Sequence, residues 1–287
     1  MSSGAHLNNT NTELVKMMEN IQSQRSEIQG LIDQEETEKV IDFLDQLATK
    51  ILEPFIDKSY QNLAKYVGAY EQKMFMKREN IADKAIWTGK KHYIMNVFDS
   101  EGVRYEEPKL KMMGIESVRS STPGVVRKAI KEALEVLMKD GEHALRDYVD
   151  DFETRFRQMP FEDVAFPRGC RYLNKWTSAS DIYKKGTPIH VRASLLYNKH
   201  LEEKKLTKKY PNIYEGDKVK FCYMKLPNPM RENVFAVPQV LPPEFKIDDY
   251  IDYDKQFEKS FKEPLNHITE AIGWRLEKQA DLLDFFV

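Results

Sequence analysis

Two adjacent lysines and a tyrosine in the stretch TGKKHY, Thr88 to Tyr93, offer chemistry suited to a polyanion. Lys90 and Lys91 can meet phosphates as point charges, while Tyr93 brings a ring to pack and a hydroxyl to donate. A solvated loop ahead of the strand-like run HYIMNVF fits the same residues, and on composition alone it is the commoner arrangement.

A second candidate is KLKMMGIESVRSSTP, Lys109 to Pro123. Here Lys109, Lys111 and Arg119 precede Ser120, Ser121 and Thr122, and the apolar periodicity that follows predicts a helix. Thr122 can cap that helix and Pro123 suits its first position. Unpaired backbone N–H groups, hydroxyls and the helix dipole make such a terminus a ready phosphate site. An ordinary capped helix uses the same residues.

The last nine residues, QADLLDFFV, put five large apolar side chains at a chain end. Gln279, Leu282, Phe285 and Phe286 fit the spacing Q-x-x-aliphatic-x-x-aromatic-aromatic, with Leu283 alongside. One helical turn gathers Leu282 and the two phenylalanines into an anchor for a groove on a partner. The alternative is a last helix docked on the protein's own core. The position of the stretch and the lack of a polar trailer favour the plug.

Other signals point away from a complete active site. Asp248 to Asp254 contains a DxD, but it lies in an amphipathic stretch with Tyr250, Ile251, Phe257 and Phe261 and reads as a solvated acidic face. There is no Gly-rich phosphate loop, GxSxG or HExxH. Cys170 and Cys222 stand alone and the six histidines are scattered, so neither a zinc site nor a disulfide framework is supported. The 44 basic and 46 acidic residues nearly cancel, so any surface for nucleic acid must be local. No apolar run approaches the roughly 18 residues of a membrane helix, and the N-terminus lacks a secretory pattern.

The elements that must position these residues follow from the patterning. Leu14, Met17, Met18, Ile21, Ile28, Leu31 and Ile32 mark a thin amphipathic helix over 12–33 that needs a partner surface. Val40, Leu44, Leu47 and Ile51 predict a firmer helix, broken or kinked at Pro54. Met74 to Met76 and His92 to Phe98 read as strands, with a turn at Asp99 to Gly102 and a return strand at Val103 to Tyr105. Val126, Ile130, Leu134 and Leu137 form one helix face, ending before Gly141. Leu145, Tyr148, Val149, Phe152 and Phe156 form the next, ending before Pro160. Short strands are expected at His190 to Tyr197 and Lys218 to Met224, and helix from about Asp248 to Gln279. The fold class is α+β: a small sheet with helices, then a mainly helical domain with short strands.

Taken together, the run WTGKKHYIMNVFDSEGVRYEEPKLKMMGIESVRSSTPGVVRKAIKEAL, Trp87 to Leu134, resembles the palm-to-thumb junction of T-even-type phage replicative DNA polymerases of family B. The resemblance reaches upstream through FLDQLATKILEPFIDKSY and MFMKRE, and downstream through EALEVLMKDGEHALRDYVDDFETRFRQM, IHVRASLLYN and the DFF tail. It implies that 37–113 ends a palm domain, that 114–275 is a thumb holding primer–template duplex, and that 276–287 binds a sliding clamp. Residues 1–36 would be an extension contacting another subunit. It also implies that Lys90-Lys91-His92-Tyr93 is the family's primer-contacting KK[R]Y element, with His92 in place of the usual arginine. Lys109, Lys111 and Ser120 to Thr122 would meet the duplex backbone, and Arg192 matches a further thumb position.

The palm aspartates, fingers and exonuclease of that family are absent, and the chain begins with Met1 just after the point where the catalytic DTDS turn would end. The expectation is a C-terminal subunit of a split polymerase, with no catalytic residue of its own. Mg2+ would lie in the N-terminal partner subunit, and the place of work would be the cytoplasm of an infected bacterial host. The alternative is a clamp- and DNA-binding accessory protein derived from a polymerase. A neighbouring gene for a polymerase that stops at that turn favours the first; a full-length one favours the second.

Overall fold

The computed structural model describes residues 36–178 and 181–277, together with residue 16. The predicted helix over 12–33 therefore lies outside the described residues, residue 16 excepted. The fold is α+β with small antiparallel sheets. Contacts divide it into two compact units: residues up to Ala85 with Met95–Lys111, and Ile86–Ile94 with residues from Met112 onward. Strands β1 (Asn80–Gly89), β2 (His92–Ser100) and β3 (Val103–Met113) form a sheet in that order, and it is along these strands that the chain passes between units.

In the first unit, helix α1 (Thr37–Leu47) runs through a π-helical segment, Ala48–Leu52, into α2 (Glu53–Tyr66) without leaving right-handed helical geometry. Pro54 is expected to break or kink this helix, and the helix is not broken there. The proline is absorbed in the first turn of α2, because the wider π turn rearranges the hydrogen bonding that a mid-helix proline disrupts. The same device recurs in the second unit: the π segment Glu258–Lys262 lies between α6 (Tyr253–Phe257) and α7 (Glu263–Glu270), where Pro264 sits in the first turn.

Charge rather than apolar burial ties α1 down, since Ile41 is its buried residue and α2 has none. Arg104 reaches Glu38 at 2.8 Å and Asp42 at 2.9 Å, and Arg78 reaches Asp45 at 2.8 Å and the buried Asp99 at 2.6 Å. Asp99 also accepts from the Gly102 N–H in the expected turn, where Glu101 and Gly102 both have positive φ as a two-residue hairpin requires. Met74 to Met76 do not form the expected strand: residues 72–79 are irregular and the three side chains are exposed. Their apolar character fits a strand locally, but among the described residues no strand pairs them.

The second unit is built on helices α3 (Gly124–Lys139) and α4 (Gly141–Phe156). Gly141, at φ +87, turns the chain between them. Tyr148 donates to Glu132 at 2.7 Å, and these residues lie at matching distances from the turn, as in a helical hairpin. Both predicted faces are buried, apart from the half-buried Tyr148. Phe152 and Phe156 join Phe257 and Phe261 in an aromatic cluster with ring centroids 4.8 to 5.9 Å apart. Burial of each such ring stabilises the fold by roughly 1.5–3 kcal/mol.

A second sheet has the order β4 (Phe166–Gly169), β5 (Lys218–Tyr223), β6 (Val234–Val237), all antiparallel, with Phe166 opposite Phe221 and Cys222 opposite Phe235. Helix α5 (Ile189–Glu203) packs on it. This corrects the expected strand at His190 to Tyr197. Val191, Ser194, Tyr197 and Leu201 are buried at helical spacing, and their packing on β6 outweighs the β-branched bias at the start of the run. The expected helix from Asp248 to Gln279 is also shorter. Residues 248–250 form a single 3-10 turn, and α7 stops at Glu270 with Gly273 at φ +76.

His190 and His200 on α5 both have lowered pKa values: burial is the main cause for each, with the Arg168 charge adding at His190 and Glu203 opposing at His200. The unfolded chain then binds protons that the native state refuses as pH falls below about 6.5. Stability should therefore decline with pH below that value. The double variant His190→Gln, His200→Gln should flatten the decline in urea titrations run from pH 7.5 to 5; an unchanged slope would refute this assignment.

Candidate nucleic-acid interface

Lys90 and Lys91 form the two-residue turn between β1 and β2, both exposed, and Lys91 is held at φ +60. A left-handed lysine costs roughly 1 kcal/mol relative to its relaxed backbone, so something must impose it. The two-residue hairpin turn itself calls for positive φ, and the end of β3 packs against it. Gly114, at φ +74, packs so closely on the turn that a Cβ there would lie 2.3 Å from the Lys91 carbonyl oxygen and 3.2 Å from the His92 ring. Only glycine permits this approach.

From there a chain of polar groups runs to the start of α3. Thr88 Oγ1 bonds His92 Nδ1, and His92 Nε2 stands 4.0 Å from Glu116. Glu116 pairs with Arg119 at 2.9 Å, and Arg119 Nε donates to the Gly114 carbonyl at 3.0 Å. The Thr122 N–H then donates to the Arg119 carbonyl at 3.2 Å. Arg119 is thus partly committed to bracing the loop, though half of its side chain remains exposed.

The helix start differs from expectation. Thr122 is buried and does not cap; Pro123 occupies the N-cap position and no side chain caps α3. Pro123, at φ −54 and ψ 144, takes the N-cap position itself and leaves the threonine one residue further from the first turn. Ser120 is exposed and Ser121 half-buried beside that uncapped terminus. Arg168, on β4, donates to the Ser121 carbonyl at 3.5 Å and brings a further guanidinium to the same end. With five donors on a fixed fork, it retains several for a ligand.

Within the second unit the structure therefore joins Lys90, Lys91, Arg119, Ser120, Ser121 and Thr122, with Tyr93 half-buried at the start of β2. Arg192 belongs elsewhere in that unit: it donates to Asn233 at 2.6 Å and lies 5.7 Å from the Tyr183 ring, which bonds Glu232. Lys109 and Lys111 lie two apart on β3 within the first unit. Lys109 sits 4.1 Å from the Tyr105 ring, and Lys111 pairs with Glu79, whose pKa that bond lowers.

The sequence reading missed Gly114, Glu116 and Arg168. A glycine between a strand pattern and a helix start was a usable sign for the first, and the i, i+3 charge pair for the second. Arg168 lies 47 residues from Ser121 and had no local sign. In the acidic run, Asp252 caps α6 through the Lys255 N–H and Asp254 pairs with Arg157 at 3.0 Å. Among the described residues, no three His, Cys, Asp or Glu side chains gather as a metal-ligand set. No helix there is long and apolar enough to cross a membrane. The tail candidates Gln279, Leu282, Leu283, Phe285 and Phe286 lie outside the described residues.

Lys91 allows backbone and charge to be separated. On a polyanionic ligand, Lys91→Ala and Lys91→Gly should both lower the salt slope of duplex binding by about one unit. Only Lys91→Gly relieves the left-handed backbone, so it should be as stable as the parent or up to about 1 kcal/mol more stable. Fluorescence anisotropy across a potassium chloride series, with urea unfolding of each variant, checks both; an unaltered slope removes Lys91 from the interface.

No protein-family profile matches the chain. It is 35% identical over 263 residues to the DNA-directed DNA polymerase of Escherichia phage RB69, covering 88% of this chain and 29% of that protein. To the DNA-directed DNA polymerase of Enterobacteria phage T4 it is 31% identical over 265 residues, again 88% and 29%. The chain thus spans less than a third of the length of these relatives. Since 88% coverage leaves about 34 of the 287 residues unmatched, the region of the dilysine turn and Gly114 lies within the matched span wherever that span begins. Most of this chain is similar to one part of the T4-type phage DNA polymerases.

Proposed function

We propose that this chain is the C-terminal subunit of a split family B DNA polymerase, working in the cytoplasm of an infected bacterium. It grips primer–template duplex and tethers the enzyme to a sliding clamp. The nucleotide site, proofreading and catalytic Mg2+ belong to an N-terminal partner chain. Residues 37–113 act as the end of the palm, 114–275 as the thumb and 276–287 as the tether.

The observation that carries this reading is the braced dilysine turn. Gly114 fixes Lys90 and Lys91 against the loop that leads, through Glu116 and Arg119, to an uncapped helix terminus flanked by Ser120, Ser121 and Arg168. Cations and free N–H groups held on one rigid base suit successive phosphates of a duplex, and backbone contacts of this kind position DNA without reading its sequence. Similarity to polymerases over 88% of the chain supports the same reading. Lys109, Lys111 and Arg192 are proposed as additional duplex contacts; Lys111 would exchange Glu79 for phosphate.

Mixing tests the proposal. The partner chain alone should extend a primer poorly, and adding this chain should restore extension on the same template. Equal extension without it would reject the reading.

A further inference from the structure

We infer that the segment from the end of α2 to Met76 is the surface on which the catalytic polymerase chain docks. The inference rests on the split-subunit reading and names the face through which the two chains join. Tyr66 and Phe75 are 75% and 76% exposed, Tyr70 is fully exposed, and Val67, Met74 and Met76 are more than half exposed or nearly so. Isolated surface hydrophobes are ordinary, but six large ones within eleven residues form a patch of the kind that marks an interface.

The segment is ordered in its own right. The Ala69 N–H donates to the Ala64 carbonyl at 2.9 Å across Gly68, at φ +65, which ends α2 in a glycine-capped turn. The Gln72 side-chain amide then bonds both the N–H and the carbonyl of Met74, fixing the backbone that presents Met74 to Met76. A well-formed backbone that displays apolar side chains to water is suited to receive a preformed partner.

Two observations choose the occupant. The segment lies within the matched span wherever that span begins, and the relatives contain more than twice as much additional protein as this chain supplies. In a split enzyme that remainder must meet this chain over a broad apolar area. Charge accompanies the apolar residues: Lys65, Lys73 and Lys77 are exposed within or beside the segment, and Glu71 pairs with Lys73 at 3.1 Å. The occupant therefore presents an apolar face that also carries carboxylates.

The test uses the full chain and the polymerase chain encoded in the same genome, purified separately and titrated by sedimentation velocity. Tyr70→Ser with Phe75→Ser changes exposed side chains only, so the isolated chain should unfold at the same urea concentration as its parent. Association with the polymerase chain should weaken at least tenfold. Equal association of the variant, with the parent pair still active in primer extension, overturns the docking surface and leaves the proposed function standing. If the parent chains do not associate at all, both fail. Two further outcomes assign the patch to another occupant and also overturn the inference: a variant that only turns a self-associating chain monomeric, or one whose effect disappears once residues 1–35 are deleted.

Discussion

Gly114→Ala should destabilise the second unit by roughly 2–5 kcal/mol and reduce duplex binding more than tenfold. Two costs combine. The φ of +74 is unfavourable for alanine, and the new Cβ would stand 2.3 Å from the Lys91 carbonyl oxygen. That oxygen is backbone, so no rotamer change relieves the clash; either the β1–β2 turn or the loop before α3 must move. Both alternatives separate the dilysine turn from the Arg119 brace and the helix terminus. Gly141→Ala provides the control, because Gly141 has φ +87 with nothing within 4 Å of the built Cβ. It should cost about 1 kcal/mol for backbone alone and leave DNA binding unchanged. Urea unfolding and anisotropy on both variants separate strain from contact. Equal stability loss with equal, unimpaired binding would mean that Gly114 does not organise the interface.

That prediction was partly hidden in the sequence, for a physical reason. KMMGIES shows a glycine where a strand pattern stops, but its closest neighbour, Lys91, is 23 residues earlier and belongs to another strand. Local periodicity reports which face of an element is apolar, and there it succeeded: Val126, Ile130, Leu134 and Leu137, and then Leu145, Val149, Phe152 and Phe156, are buried. The Asp99 to Gly102 turn was legible from local turn chemistry, since Gly102 suits its positive φ and the Asp99 carboxylate accepts the Gly102 N–H. Failures came where tertiary contacts decide. His190 to Tyr197 is too short a run to separate a period of two from one of 3.6, and packing on β6 selected the helix. Strand β1 was missed because Asn80 to Gly89 buries just Ile81 and Ile86, too sparse a pattern to register. At Pro54 the rule was sound but incomplete, since a π turn gives a helix a way past a proline. Long-range polar pairs such as Arg168 with Ser121 leave no mark in local sequence at all.

Replacing both Phe285 and Phe286 with alanine should abolish clamp-stimulated processive synthesis by the reconstituted polymerase while sparing short, clamp-independent extension. The side chains themselves lie beyond the described residues, but their point of departure is fixed. Trp274 N–H donates to the Thr269 carbonyl across Gly273, closing α7. Arg146 donates to the Arg275 carbonyl at 2.9 Å, the Arg275 N–H donates to Glu142 at 3.1 Å, and Lys262 pairs with Glu277 at 2.9 Å. With Leu276 buried, these contacts anchor the chain just before the tail begins. Residues 278–287 then reach at most about 35 Å if fully extended, enough for a plug to enter a groove on a neighbouring ring without disturbing the second unit. Burying each phenylalanine contributes roughly 1.5–3 kcal/mol, so losing two should weaken clamp affinity by about a hundredfold to ten-thousandfold. Product lengths on a primed template, with and without clamp, give the answer. A deficit confined to the clamp reactions supports the tether; an equal deficit in both would show that the tail packs on the protein itself, and the clamp role would have to be withdrawn.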